Sequence, residues 1–473
     1  MSTARTLAKN TTVLLISQII SYILAFLYTI YTANYLGVAG FGVLTVAIAL
    51  GGIFSIITDF GLSVIIVREV ARDKSLAKQY IWNATALKII LGVITVIAAV
   101  VFVTIKGYPA QTAGVIYLIT LSFVIGGISG IFSSIFQAHE KMEYQSIALI
   151  INSILMFAGI LIIIQYKLDI VILALFYLII SLLLLFFSVI ICAWKFSLPK
   201  IEVDLSFWKP LIMDAYPLAL TSLFAFIAFR VDTILLFMIS GDYATGLYGA
   251  SYRLMEALMF IPSVYATSIL PIFSRFHVSS KDRMKIYYVK SLKYLGILGL
   301  PIAVGTTLLA NKIILFIYKG DYAQSAVVLQ ILIWAIPIIF LAYILGASIT
   351  SINKQHETVR VTLIAMILNI ALNIILIPKY SYIAASVITV LTELTVFLLY
   401  FYIISKYLCK VSLISILGKP IIASIFMSLV IIFINNLFLA IIIGTIVYFG
   451  VLVLLKTFTQ EDIDLFRQIV KRN

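Results

Sequence analysis

The chain has 473 residues, 63% of them hydrophobic and 11% charged, with a mean hydropathy of +1.18 and a formal net charge of +14. A water-soluble core cannot absorb that much apolar surface, so the composition excludes a soluble enzyme and indicates an all-α polytopic membrane protein. The basic excess is scattered over short segments between apolar runs, which excludes a nucleic-acid-binding face.

Windows of about 20 apolar residues divide the chain into about fourteen transmembrane helices. The first six are predicted near Thr11–Ala33, Val43–Val67, Ile81–Ile105, Thr112–Phe136, Ser146–Ile164 and Ile170–Ala193. The first run is too long for a signal-peptide core and lacks a small-residue cleavage site, so it is expected to be a retained span. A polar stretch, Trp194–Lys209, then interrupts. Six more spans follow near Pro217–Ile239, Ala244–Phe273, Tyr287–Ala310, Ala326–Ile349, Val361–Ile377 and Tyr382–Ile404, and two close the membrane part at Ile416–Ile434 and Leu437–Leu455. Pro217, Pro262, Pro301, Pro337 and Pro420 interrupt apolar segments and are expected to kink them. The tail Thr459–Asn473 has apolar residues at helical spacing and is expected to lie as an amphipathic helix on the membrane surface. The expected division is therefore an N-terminal six-helix bundle (1–196), a cytoplasmic linker (197–209), a C-terminal six-helix bundle (210–406), two additional spans (407–456) and a cytoplasmic tail (457–473).

Placing the N-terminus in the cytoplasm puts 24 of the 33 basic residues inside and 5 outside, with Lys88, Arg230, Arg253 and Lys293 within spans. That asymmetry satisfies the positive-inside rule and requires an even number of crossings, which puts both termini in the cytoplasm of a cell-membrane protein. An internal repeat points the same way. Gly37 and Gly42, between the first two spans, match Gly241 and Gly246, between the seventh and eighth, at an offset of 204. Leu87-Lys88 matches Leu292-Lys293 at an offset of 205. Six spans repeated in one orientation is the parallel-repeat arrangement of transporters.

The seventh and eighth spans carry the charges that demand explanation. Arg230 lies 11 residues before Gly241 and Arg253 lies 12 residues after it. In antiparallel neighbours both guanidinium groups then sit about 16–18 Å from the turn, near mid-membrane. A charge at that depth costs at least about 2.5–3.5 kcal/mol, so such residues face protein or a wet cavity. Arg230 and Asp232 are two apart and point in different directions, whereas Arg253 and Glu256 are three apart and share a helix face. Two readings are open: an ion-pair network pinning helices, or a cationic patch for an anionic substrate. The second is preferred, because small or apolar residues serve a purely structural role more cheaply.

Other polar residues have paired readings. Asp59 either lines a cavity or caps the inner interface. Lys88 and Lys293 either snorkel to the interface or touch substrate. Glu393, twelve residues into its span, is either a proton or cation relay or a partner for an arginine. Gln18, Asn152, Asn369 and Asn373 read as hydrogen-bonding glue between helices. His139, His277 and His356 all fall in predicted cytoplasmic loops, the acidic pair Asp462 and Asp464 falls on the solvated face of the tail, and the outer loops are short. No catalytic constellation emerges, and the chain is not expected to be an enzyme. Cys192 and Cys409 lack metal-ligand spacing, so no metal site is expected.

Several short motifs in fixed order resemble a known family: Leu36-Gly37 with Gly40-Phe41-Gly42, Asp59-Phe-Gly-Leu with Val67-Arg68-Glu69, Arg230-Val-Asp232 with Gly246-Leu-Tyr248 and Tyr252-Arg253-Leu254, and Gly320-Asp-Tyr322. Over nearly its whole length the chain is similar to the polysaccharide-transporter or oligosaccharide-flippase family, in the exporter superfamily that includes multidrug-and-toxin extrusion proteins and lipid II flippases. The resemblance implies two six-helix bundles in a V plus two C-terminal helices. It implies alternating access for a polyprenyl-phosphate- or pyrophosphate-linked oligosaccharide, serving surface polysaccharide or glycoprotein assembly. Its cationic lumen is carried onto Arg230 and Arg253, with Asp232 and Glu256 orienting them; Lys88 and Asp59 complete the expected substrate set. No cofactor is implied beyond sodium or proton coupling, for which Glu393 and Asp59 are the candidates. The implied partners are the lipid-linked oligosaccharide, the bilayer, and a polysaccharide polymerase or glycosyltransferases. Two alternatives stand beside this: a cation-coupled multidrug exporter on the same fold, and a membrane-embedded glycosyl- or acyltransferase.

Overall fold

In lipid a backbone must satisfy its own hydrogen bonds, and the described residues do so as helices with no strand among them. The computed structural model describes residues 3–196 and 202–458, with side chains from residue 16 onward. The helices are α1 (Thr3–Asp59), α2 (Leu62–Arg72), α3 (Ala77–Lys106), α4 (Ala110–Ala138), α5 (Met142–Tyr166), α6 (Ile170–Phe196) and α7 (Leu205–Leu258). They continue as α8 (Phe260–Ser279), α9 (Lys281–Ile317), α10 (Ser325–Leu332), α11 (Ala335–Ser351), α12 (Gln355–Tyr407), α13 (Leu413–Ile431) and α14 (Leu437–Leu454). The expected tail helix Thr459–Asn473, with Asp462 and Asp464, lies outside the described residues.

Eleven helical runs among the described residues are long and apolar enough to cross a membrane. Three of these runs are broken by a non-helical residue, at Gly37, Gly241 and Ser381, so the eleven are consistent with the expected fourteen crossings. Gly37 (φ 68°, ψ 178°) and Gly241 (φ 84°, ψ −173°) share one backbone conformation that is essentially restricted to glycine. They are also equivalent positions of the repeat, so both copies turn by the same device. The prolines divide in their effect. Near Pro262 the chain breaks between α7 and α8, and near Pro337 it breaks between α10 and α11, because a proline ring displaces the carbonyl four residues back. Pro217 instead lies inside the first arm of α7, and Pro301 and Pro420 inside α9 and α13.

The chain forms two compact units, Met1–Gly249 and Ala250–Asn473. In the first, Leu44 and Ala47 of α1 pack with Ile116 and Ile119 of α4, Ile160 of α5, Leu173 of α6 and Ile234 and Phe237 of α7. Buried Tyr28 and half-buried Tyr35 spend their hydroxyls between helices: Tyr28 Oη donates to Tyr177 Oη at 2.9 Å and Tyr35 Oη to the Leu168 carbonyl at 2.7 Å. The repeat glycines approach each other within this unit. A methyl group added to Gly42 would lie 1.9 Å from the Asp242 carbonyl oxygen, and one added to Gly246 would lie 1.9 Å from that of Val38. Val38 and Gly42 are the counterparts of Asp242 and Gly246, so the contact is reciprocal, a two-fold helix crossing that closes on one glycine from each arm.

The entry to α7 is fixed from α3. Asn83, 1% exposed, accepts at Oδ1 from the Asp204 N–H (2.9 Å) and from Trp208 Nε1–H (3.1 Å). The Asp204 carboxylate in turn accepts from the Ser206 hydroxyl and N–H, and these bonds hold its pKa below the ordinary value of 3.8. Asn83→Leu strands two donors and is expected to lower stability by about 1–3 kcal/mol. Asn83→Asp keeps the acceptor and is expected to retain most of it. Thermal unfolding in detergent checks both.

The second unit holds α8–α14. Ile297 and Leu309 of α9 pack with Ala423, Met427 and Ile431 of α13 and with Ala440, Tyr448 and Leu452 of α14. Tyr448 Oη donates to the Ile297 carbonyl (2.8 Å) and Lys312 Nζ to the Ile434 carbonyl (2.8 Å), so the two last helices are pinned to α9 at two points.

Candidate functional site

The turn at Gly241 folds α7 back on itself, and residues sixteen apart meet across it. Asp232, 3% exposed, accepts a hydrogen bond from the hydroxyl of fully buried Tyr248 and another from the Thr233 N–H at 2.6 Å. The antiparallel arrangement expected around Gly241 is therefore present, and Tyr248 is the partner that sequence reasoning missed. Arg230, half-buried on the same arm, places its guanidinium 4.9 Å from the centre of the Phe229 ring. In the second unit Arg253 Nη1 bonds Glu256 Oε2 at 2.9 Å, the i, i+3 pair expected from spacing, with side chains 25% and 20% exposed. Glu393 lines a separate cavity of about 500 Å³ in that unit, beside Tyr343, Tyr400 and Thr267.

Lys88 does not snorkel. Its side chain is fully buried, and its ammonium donates to Asp59 Oδ1 (2.7 Å), the Gly127 carbonyl (2.8 Å) and Ser63 Oγ (3.1 Å). Those three bonds match the three protons an ammonium carries, so the buried charge is fully compensated. Ser63 also donates to Asp59. Asp59 is 34% exposed and faces a cavity of about 590 Å³ within the first unit. Of its two expected readings, cavity lining is the one realised. Lys88 has no face of its own on that cavity and acts there through Asp59.

The cavity wall mixes polar groups with apolar side chains, among them Phe123, Leu149, Met156 and Leu184. Serines from α1, α4 and α6, the amides of Gln145 and Asn152 on α5, and Tyr177 surround three glycines of α4. The serines were missed in the sequence, although the run Gly126-Gly127-Ile-Ser129-Gly130 with Ser133 puts small residues three and four apart on one helix face. Asn369 does behave as glue, its Nδ2 donating to Thr392 Oγ1 (3.2 Å) across the break at Ser381, whereas Asn373 Nδ2 donates to Asn369 Oδ1 (2.7 Å) along the same arm.

A buried carboxylate–ammonium pair beside a polar cavity, intramembrane arginines and a repeated helical frame define a polytopic membrane protein of the transporter kind. Residues 7–277 match the polysaccharide biosynthesis protein family, and residues 217–375 match the MatE family. The chain belongs to the polysaccharide biosynthesis protein family, as its motifs suggested. It is 25% identical over 396 residues to the probable low-salt glycan biosynthesis flippase Agl15 of Haloferax volcanii, covering 82% of this chain and 81% of that one. It is 23% identical over 343 residues to the capsular polysaccharide biosynthesis protein CapF of Staphylococcus aureus, covering 70% of this chain and 83% of that one. In fold it is similar to the lipid II flippase MurJ in its inward closed conformation, with a TM-score of 0.67, 19% identity and coverage of 92% and 97%. An inward-facing multidrug resistance transporter of the MATE family gives a TM-score of 0.66 at 15% identity, with coverage of 82% and 94%.

Proposed function

We propose that this protein is a flippase that moves a polyprenyl-phosphate- or pyrophosphate-linked oligosaccharide across the cytoplasmic membrane by alternating access, for surface polysaccharide or glycoprotein assembly. It does so without catalysing a covalent step, with both termini in the cytoplasm, and hands its cargo to a polymerase or glycosyltransferase. The observation that carries the reading is the presence of arginines inside apolar spans of a chain whose relatives are named as glycan flippases and capsular polysaccharide proteins. A guanidinium offers planar paired donors that suit a phosphate, and its charge survives in lipid only where protein or cargo compensates it. Arg230 and Arg253 are each assigned to the anionic group, and Glu256 sets the pose of Arg253. A proton or sodium ion drives the cycle through Asp59 or Glu393.

Vesicles reconstituted with a fluorescent polyprenyl-pyrophosphate-linked oligosaccharide test this. The wild type is expected to move the lipid between leaflets; Arg230→Ala and Arg253→Ala are each expected to slow it at least tenfold while unfolding at the wild-type temperature. Losing one charge-assisted hydrogen bond, about 1.5–3 kcal/mol, is enough for that. A wild type that leaves the lipid in its original leaflet sinks the reading. The MatE match over 217–375 favours a second reading, cation-coupled export of amphiphilic drugs. Transport of a cationic dye, lost in Asp59→Asn, would establish it instead.

A further inference from the structure

We propose that the polar cavity of the first unit, walled by α1, α4, α5 and α6, is a subsite for the neutral sugar portion of the cargo. The proposal rests on the flippase reading and assigns recognition of the glycan to residues other than the arginines. The cavity volume of about 590 Å³ falls within the about 300–1,000 Å³ typical of small-molecule sites.

The lining chemistry selects the ligand. Six serine hydroxyls, the amides of Gln145 and Asn152, the Tyr177 phenol and the Asp59 carboxylate face the space. Several of these serines spend their protons on their own helix: Ser55 donates to the Gly52 carbonyl (2.7 Å), Ser122 to that of Ile119 (2.7 Å) and Ser181 to that of Leu178 (2.8 Å). Their oxygens keep lone pairs, so they accept from a ligand O–H, while the α5 amides supply donors. A wall that both accepts and donates, with no net charge, suits a polyol. A phosphate needs positive charge as well as donors, and this wall has no uncompensated cation, because Lys88 is spent on Asp59. A cationic drug needs an uncompensated carboxylate, and Asp59 is already paired. A carboxylate that is one-third exposed yet held by an ammonium remains a strong acceptor for neighbouring sugar hydroxyls. The rings of Phe123 and Tyr177 offer apolar faces for the C–H side of a pyranose. Asn152, expected from its sequence to be glue between helices, is exposed on this wall instead.

The test compares two probes on the full-length protein in detergent micelles: the lipid-linked oligosaccharide pool extracted from cells that make this protein, and sugar-free polyprenyl pyrophosphate. Wild type is expected to bind the glycosylated pool more tightly. Gln145→Leu with Asn152→Leu is expected to weaken the glycosylated lipid about tenfold, the loss of two neutral hydrogen bonds, and to shift the sugar-free lipid less than twofold. Arg230→Ala weakens both. Thermal unfolding of the double variant at the wild-type temperature excludes a folding defect, and Gln145→Asn with Asn152→Gln, which keep the amides, recover part of the loss. If the leucine variants weaken both lipids equally, or neither, the subsite is overturned while the flippase reading stands. If wild type holds neither lipid, the flippase reading falls and the subsite with it.

Discussion

Gly246→Ala is expected to leave no detectable folded protein in detergent extracts, and Gly42→Ala to behave alike. At each position the new methyl group would sit 1.9 Å from a backbone carbonyl oxygen, Val38 in one case and Asp242 in the other. Side chains yield to overpacking by changing rotamer; a carbonyl inside a hydrogen-bonded helix cannot, so the two helices must part. Core overpacking usually costs about 1–3 kcal/mol, and a backbone clash lies at or above the top of that range. The crossing also loses its Cα–H···O contacts, worth about 0.5–1 kcal/mol each. Gly114→Ala is the matched control. Nothing lies within 4 Å of its new methyl group, and alanine is the better helix former, so its unfolding temperature is expected to equal or exceed the wild type's. Equal stability of Gly246→Ala and Gly114→Ala would show that the crossing is not a close backbone contact.

Lys88→Met is expected to produce the second large loss, for an electrostatic reason. The side chain is fully buried, and removing its ammonium leaves the Asp59 carboxylate without its counter-ion and takes one donor from the Gly127 carbonyl. Breaking a buried pair from one side costs about 3–5 kcal/mol, and the 34% exposure of Asp59 reduces this by letting water reach one oxygen. Adding Asp59→Asn to Lys88→Met removes the stranded charge and is expected to recover much of the stability. In that double variant the wall of the polar cavity changes while the helices stay packed, so unfolding temperature and cargo binding separate. A Lys88→Met protein as stable as the wild type would show that the pair contributes nothing to the fold.

Some of the site was legible before the fold. The intramembrane positions of Arg230, Asp232, Arg253 and Glu256 follow from where charges fall in apolar windows, and the Arg253–Glu256 bond follows from helical spacing. Lys88 was ambiguous in the sequence, because two turns of helix from an interface is within snorkelling reach. What resolves it is the approach of α4, whose Gly127 carbonyl lies 39 residues away in sequence. Tyr248 was hidden for a similar reason: its hydroxyl finds Asp232 only because Gly241 reverses the chain.

By itself the order of residues determined the membrane class, the approximate places of the helices and the repeat with its glycine turns. Each of these depends on composition within a window or on one residue's backbone freedom. Tertiary structure alone decided which side chains meet, where Lys88 spends its protons, and that scattered serines on three helices enclose one cavity. The physical reason is rotational: a helix that is apolar nearly all round shows no preferred face in its sequence, so only packing against its neighbours sets which residues turn inward.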